Sequence, residues 1–174
     1  MPANYEDYLD MGLPVHLALR YSGHFRGFRP VADEHKKSPS VEVQLPTRGS
    51  SKSAGYDFYC PEEIILLPGE QKLVWTDVKA YMLDDEVLEI YPRSSVGIKK
   101  SIQLANTVGI IDSDYFGNRY NDGNIGICLY NRSEVLQIIE AGERFAQGVF
   151  KKYLVADDDN TTSSRQGGIG STGA

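Results

Sequence analysis

From Val41 to Val155 the chain is a succession of short apolar runs broken by turn residues, and nothing in that stretch sustains a helical period. Runs at 56–60, 64–67, 71–75, 78–83 and 86–91 have strand lengths, and Pro68-Gly69-Glu70 separates two of them as a turn. Val41, Val43 and Leu45 alternate with other residues; Ile125, Ile127 and Leu129 do the same before the runs at 135–139 and 145–155. Many short strands with one weak helix candidate predict an all-β fold, a β-barrel or jelly roll.

The two ends read differently. Residues 1–40 are Tyr-rich and mixed in charge, and Pro14 interrupts any long helix. Tyr5, Tyr8 and Leu9 have helical spacing, which leaves open a short amphipathic helix before Pro14 or a partly ordered arm. At the other end, three consecutive acids at 157–159 lead into Ser, Thr and Gly with almost no bulky apolar residue, a composition that buries too little surface to order itself. That tail nevertheless carries Arg165 and a Gly-Gly-Ile-Gly-Ser-Thr-Gly run, which a solvating tail does not require. The expected organisation is an N-terminal extension of unassigned role over 1–40, a barrel over 41–156 and a C-terminal arm over 157–174.

Composition bounds the function. A length of 174 residues matches one domain at roughly 150 residues each. The 41% of hydrophobic residues is enough for a core. The longest uninterrupted aliphatic run, Ile64 to Leu67, is far short of the roughly 20 residues of a membrane span, and no signal pattern opens the chain. A cytoplasmic location without membrane partner is expected, or host cytoplasm if the source is viral. A net charge of −6 disfavours a nucleic-acid partner, whose phosphates would need a local basic patch. Cys60 and Cys128 lie far apart inside apolar stretches, as buried thiols rather than a disulfide or zinc site. His16, His24 and His35 all precede the motifs below, so histidine acid–base chemistry is not expected.

Four segments hold residues suited to chemistry. Tyr91-Pro92-Arg93-Ser94-Ser95-Val96-Gly97 ends an apolar strand with a guanidinium fork, hydroxyls and approachable amides; it suits phosphate oxygens, or is a turn with surface charge. Asn106 to Gly117 places Gly109 between apolar residues, as in a tight hairpin, and puts Asp112 at a strand end. That carboxylate can orient a water as a base, or Asp112 and Asp114 can simply form turns. Tyr115 is equally a stacking platform or a core aromatic. Gly142-Glu143-Arg144-Phe145-Ala146-Gln147 opens a late strand, and the Arg165 to Gly173 run resembles a phosphate-cradling loop without the Gly-Lys-Ser/Thr ending of a P-loop.

In order, these segments resemble the five motifs of the trimeric deoxyuridine triphosphatase (dUTPase) family. Ala54-Gly55-Tyr56-Asp57-Phe58 is similar to the first, Pro92-Arg93-Ser94-Ser95 to the second and Gly109-Ile110-Ile111-Asp112-Ser113-Asp114-Tyr115 to the third. Gly142 to Gln147 and Gly167 to Gly173 are similar to the fourth and fifth, and the likeness runs from about Val41 to Gly173.

The resemblance implies a jelly-roll-like subunit of a homotrimer with shared active sites and a flexible Gly-rich arm. The implied reaction is hydrolysis of dUTP to dUMP and pyrophosphate, by water attack on the α-phosphorus, with Mg2+ held mainly by the triphosphate and water. Asp112 would hold that water. Arg93, Ser94, Ser95, Gln147 and Arg165 would bind phosphates, and Ile169, Gly170 and Ser171 would close over the substrate. Uracil would be read by backbone at Gly109, Ile110, Ile111 and near Gly126, with Asn106. Tyr115 would pack on the deoxyribose and exclude a 2′-hydroxyl, and Asp57 would support. Three features depart from the family pattern: Ser95 replaces a glycine, Ile169 replaces the aromatic lid, and Asn118 to Asn124 lengthens the exit from the third motif. Phe25, Phe28 or Tyr120 are the candidates to replace that aromatic. The Asn- and Gly-rich exit reads as a surface loop without a function. Two other readings stay open: a dCTP deaminase or bifunctional deaminase/dUTPase, whose Arg-Ser-Ser resembles Arg93-Ser94-Ser95, and a non-catalytic nucleotide-binding regulator on the same scaffold.

Overall fold

The computed structural model describes residues 4–163, 165 and 168. Two short helices come first. In α1 (Tyr5–Asp10) the Asn4 side chain accepts from the Asp7 backbone and the Asp7 side chain accepts from the Asn4 backbone, a reciprocal cap that helps so short a helix to form. α2 (Val15–Tyr21) starts directly after Pro14 and buries Ala18 and Leu19. The strands follow in chain order: β1 (Gly27–Pro30), β2 (Thr47–Arg48), β3 (Tyr56–Tyr59), β4 (Ile64–Leu66), β5 (Gln71–Trp75) and β6 (Val78–Tyr81). After them come β7 (Glu86–Pro92), β8 (Ile102–Leu104), β9 (Gly109–Asp112), β10 (Gly126–Asn131), β11 (Gln137–Ile139) and β12 (Arg144–Lys152).

These strands make a jelly-roll-like arrangement of antiparallel sheets. The largest has the order β2-β3-β12-β7-β9; β5-β10-β8 forms the second, and β1-β6 and β11-β4 are pairs. Along β10 burial alternates, with Ile127, Leu129 and Asn131 inside, because successive strand residues face opposite sides. Phe58, Leu88, Ile90 and Phe145 of the large sheet share one core cluster with Leu104, Ile127 and Leu129 of the second. Cys60 lies in that core, where burial pushes its thiol up to about 12, and both cysteines are free. No helix among the described residues is long and apolar enough to cross a membrane.

Two local expectations change. Val41, Val43 and Leu45 do turn inward, and Val43 and Leu45 pack on the core, but the segment runs without a strand partner among the described residues. Gly109 does not sit in a tight hairpin. β8 pairs with β10 while β9 pairs with β7, so the Asn106–Val108 turn is a corner between sheets. Thr107 takes a positive φ of 68° there, and a Cβ on Gly109 would lie 3.0 Å from that of Ile90, which is why the strand begins on glycine.

The N-terminal extension is tied into the barrel. β1 pairs with β6 from Gly27↔Tyr81 to Pro30↔Val78, and Phe28 stacks at 5.4–5.6 Å against Tyr56, Phe58 and Phe150. Phe28 is therefore a core side chain and cannot serve as a lid over a ligand. Arg26 reaches the buried Glu86 at the start of β7 with a 2.6 Å contact.

Candidate functional site

Successive strands β7, β8, β9 and β10 alternate between the two larger sheets, so the chain turns a corner at each end of the edge strand β9. Among the described residues strand β9 has only β7 beside it, which leaves one row of its backbone N–H and C=O groups without a ladder there. In front of that row lies a cleft of about 300 Å³ lined by Asn106, Gly109, Ile110, Ile111, Asp112, Tyr115, Gly126, Arg165 and Gly168. Eight of these nine are the residues singled out from the sequence; Gly168 is the addition. Gly126 packs against Trp75, whose Cζ3 would be 2.9 Å from a Cβ at that position, so the cleft wall there is bare backbone.

Asp112 ends β9, and a single helical turn, Ser113–Tyr115, follows it. Arg165 bridges both acids of this turn: Nε donates to Asp114 Oδ1 at 2.8 Å, and Nη2 donates to Asp112 Oδ2. Its guanidinium carbon stands 5.9 Å from the Tyr115 ring centroid. Burial pushes the Tyr115 phenol up from its ordinary value, so it stays protonated and donates, to the Asn124 carbonyl at 2.8 Å. Asn121 Nδ2 donates to the same phenol oxygen at 2.7 Å. Gly168 lies against the ring, where a Cβ would come within 2.7 Å of Cε2.

The remaining predicted residues form a second cluster where β7 ends. Arg93 Nη1 donates to Asp57 Oδ2 at 2.9 Å, and Arg144 Nη1 reaches the same oxygen at 3.4 Å. Asp57 is buried, so it holds two guanidinium groups side by side and leaves the remaining faces of their forks for other anions. Gln147 is the partner of both Asp57 and Tyr91 across strands, and its Nε2 points to the Pro92 carbonyl at 3.4 Å. Ser94 is exposed and Ser95 half-buried where a helical turn, Ser95–Lys99, begins; the Gly97 amide closes that turn on the Arg93 carbonyl at 2.8 Å.

One chain does not bring the two clusters together. Asp112 is paired with Val87 near the start of β7, whereas Arg93 follows its far end. At about 3.3 Å per strand residue their backbones are separated by roughly 20 Å, more than twice the span of a triphosphate.

Sequence reasoning missed three contributors. Arg144 lies within a recognised motif, yet only the shared Asp57 shows it beside Arg93. The exit loop Asn118 to Asn124 contacts the Tyr115 hydroxyl. His16 and His24, remote in sequence, line with Ser113 and Asp114 a second cavity of about 250 Å³. Of the candidates to replace the aromatic lid, Phe25 opens onto that second cavity, and Tyr120 is exposed and covered by Arg119 at 4.8 Å. Ile169, Gly170 and Ser171 lie outside the described residues. Among the described residues, no group of three or more His, Cys, Asp or Glu side chains is placed to hold a metal ion.

A family model described as dUTPase matches residues 41–173. The deoxyuridine 5′-triphosphate nucleotidohydrolase of Lactococcus lactis is 44% identical over 151 residues, 86% of this chain and 98% of that protein. The protein of the same name from Debaryomyces hansenii is 35% identical, covering 77% of this chain and 83% of its own length. Among solved structures, the dUTPase from Streptococcus mutans superposes with a TM-score of 0.66 at 39% identity, over 75% of this chain and 98% of that one.

Proposed function

The chain belongs to the dUTPase family and is a dUTP diphosphatase, and from that premise we propose how its residues divide the work between neighbouring copies. The observation that carries the reading is the separation of the two clusters. A nucleotide whose α-phosphate stands at Asp112 leaves its triphosphate about 20 Å along β7 from its own chain's Arg93, so a second copy supplies the phosphate cluster. A homotrimer with shared sites satisfies this requirement, and Arg165 on the C-terminal arm adds a third contribution.

In this reading the open backbone of β9 pairs with the uracil edge, and Asn106 and the bare backbone at Gly126 complete the frame. An unmatched donor or acceptor at a buried edge costs about 1–3 kcal/mol, which separates uracil from cytosine. Tyr115 packs on the deoxyribose. Arg93, aimed by Asp57 with Arg144 alongside, binds phosphate oxygens together with Ser94, Ser95 and Gln147. Asp112 accepts a proton from a water whose oxygen attacks the α-phosphorus. The bond from that phosphorus to the bridging oxygen breaks, and pyrophosphate leaves with the bond's electron pair. Orientation and charge neutralisation supply most of the rate. Mg2+, held mainly by the substrate's phosphates and water, would add charge neutralisation at the triphosphate.

Arg165 donates to Asp112 Oδ2, on the carboxylate that this reading assigns to the attacking water. A triphosphate carries more negative charge than the two carboxylates. It therefore draws Arg165 away and frees Asp112, and residues 169–171 then close over the nucleotide. The reaction is placed in the cytoplasm.

Incubation with dUTP, dCTP, UTP and dTTP plus Mg2+, with products read by mass, tests the chemistry, and sedimentation tests the assembly. The expected result is dUMP and pyrophosphate from dUTP alone, made by a trimer. Ammonia loss from dCTP would replace this reading with the deaminase, absence of turnover would replace it with the regulator, and an active monomer would remove the shared site.

A further inference from the structure

The loop from Asn118 to Asn124 folds onto Tyr115, and Asn118 and Asn124 are both buried. The phenol oxygen is held from two directions, by Asn121 Nδ2 at 2.7 Å and by the Asn124 carbonyl at 2.8 Å. The orientation of the Asn121 amide is set by its own oxygen, which accepts from Asn118 Nδ2 at 2.7 Å and from the Gly123 amide at 3.2 Å. Asn118 also donates to the Tyr115 carbonyl at 2.9 Å, so the loop grips both ends of the residue.

Two further features make this a built brace. Gly123 has φ +85°, and a Cβ there would lie 2.8 Å from the Tyr115 carbonyl oxygen and 3.0 Å from Phe116 Cα, so only glycine closes the loop this tightly. Asp122 moors the loop to the barrel, accepting from Lys79 Nζ at 2.6 Å and from the Ala32 amide at 2.8 Å. The brace therefore stands on β6 and on the segment after β1.

We infer that Asn121 is a positioning residue that fixes the depth of the Tyr115 ring in the cleft and thereby sets the discrimination between deoxyribose and ribose nucleotides. The inference rests on the reading of Tyr115 as the sugar wall. A ring anchored at its hydroxyl cannot retreat to admit a 2′-oxygen. Without Asn121 the phenol loses one of its two anchors, and the wall yields.

The test compares kcat and KM for dUTP and for UTP in the parent, Asn121→Ala, Tyr115→Phe, their double variant and Tyr115→Ala. Asn121→Ala is expected to keep the dUTP constants within about threefold and to lower the dUTP-to-UTP ratio of kcat/KM about five- to tenfold, the weight of one hydrogen bond. Tyr115→Phe removes both anchors of the phenol, so it should lower the ratio at least as much, and adding Asn121→Ala to it should cause no further loss. It also reports if Asn121→Ala fails to fold. A ratio equal to the parent's in both single variants, or a parallel fall for both nucleotides, overturns the brace. If Tyr115→Ala shifts the ratio while these two do not, the wall stands and the brace falls. If Tyr115→Ala leaves the ratio unchanged, the sugar-wall reading itself falls.

Discussion

The two halves of the site are built from different materials. In the proposed reading the recognition surface at the β9 end is mostly main chain, an edge strand and a glycine laid on Trp75, with a tyrosine held by a loop beside it. At the Arg93 end it is side chain: two guanidinium groups aimed by one buried carboxylate. Fixed amides suit the choice of a flat base, where one wrong donor is costly. Long cationic forks suit a triphosphate, whose charge matters more than its outline. The difference teaches that base selectivity and phosphate affinity should respond to different perturbations.

The largest expected effect separates chemistry from both halves. Asp112→Asn should lower kcat by about 100-fold or more, the usual weight of a positioned base, with dUTP binding and melting temperature near the parent's. Steady-state turnover with calorimetric binding measures this, and near-normal kcat would take Asp112 out of the mechanism. Next comes deletion of 157–174, which removes Arg165. Activity should fall on the order of tenfold through lost positioning, while thermal unfolding stays almost unchanged because residues 157–163 are exposed and no described residue of the tail belongs to the core cluster.

Asp57→Asn breaks the comparison most directly. It should raise KM for dUTP about tenfold, consistent with about 1.5–3 kcal/mol for a charged hydrogen bond, and leave the preference for dUTP over dCTP unaltered. A change in that preference would show that the two halves do not act separately. The smallest effect concerns the tie between the extension and the barrel. Burial would push the Glu86 carboxyl up, but hydrogen bonds from Arg26 and the Leu83 amide outweigh it and hold it below its ordinary value of 4.5. A lowered folded value contributes stability above 4.5 that is lost as pH falls through it, at most about 1 kcal/mol because Arg26 is half-exposed. Glu86→Gln should flatten the acid limb of melting temperature against pH, without touching either half of the site.

The barrel was legible because its strands carry their own signal: runs such as 71–75 and the alternation at Ile125, Ile127 and Leu129 follow the period of a pleated strand. Eight of the residues chosen from the sequence line one cleft. What stayed hidden depends on contacts between distant positions. Asp57 joins Arg93 to Arg144, and no local pattern announces a shared carboxylate. The Asn118–Asn124 loop has the composition of a solvated turn, and the same amide groups serve equally well for bonding a buried phenol. The extension was opaque because its helices are too short to hold a period over more than one turn, and its ties to the barrel, Phe28 in the core and β1 on β6, join positions distant in sequence.

In the proposed reading strand β9 meets the base with its ladder groups, and its one side chain with a chemical task is the Asp112 carboxylate at its end. Ile110 is 56% exposed, yet in the proposed reading its substitution would leave the base-pairing atoms in place, since every residue but proline carries them. Selectivity written in this way tolerates mutational drift along the strand. It is vulnerable chiefly at Gly109, where any added side chain has to push against Ile90.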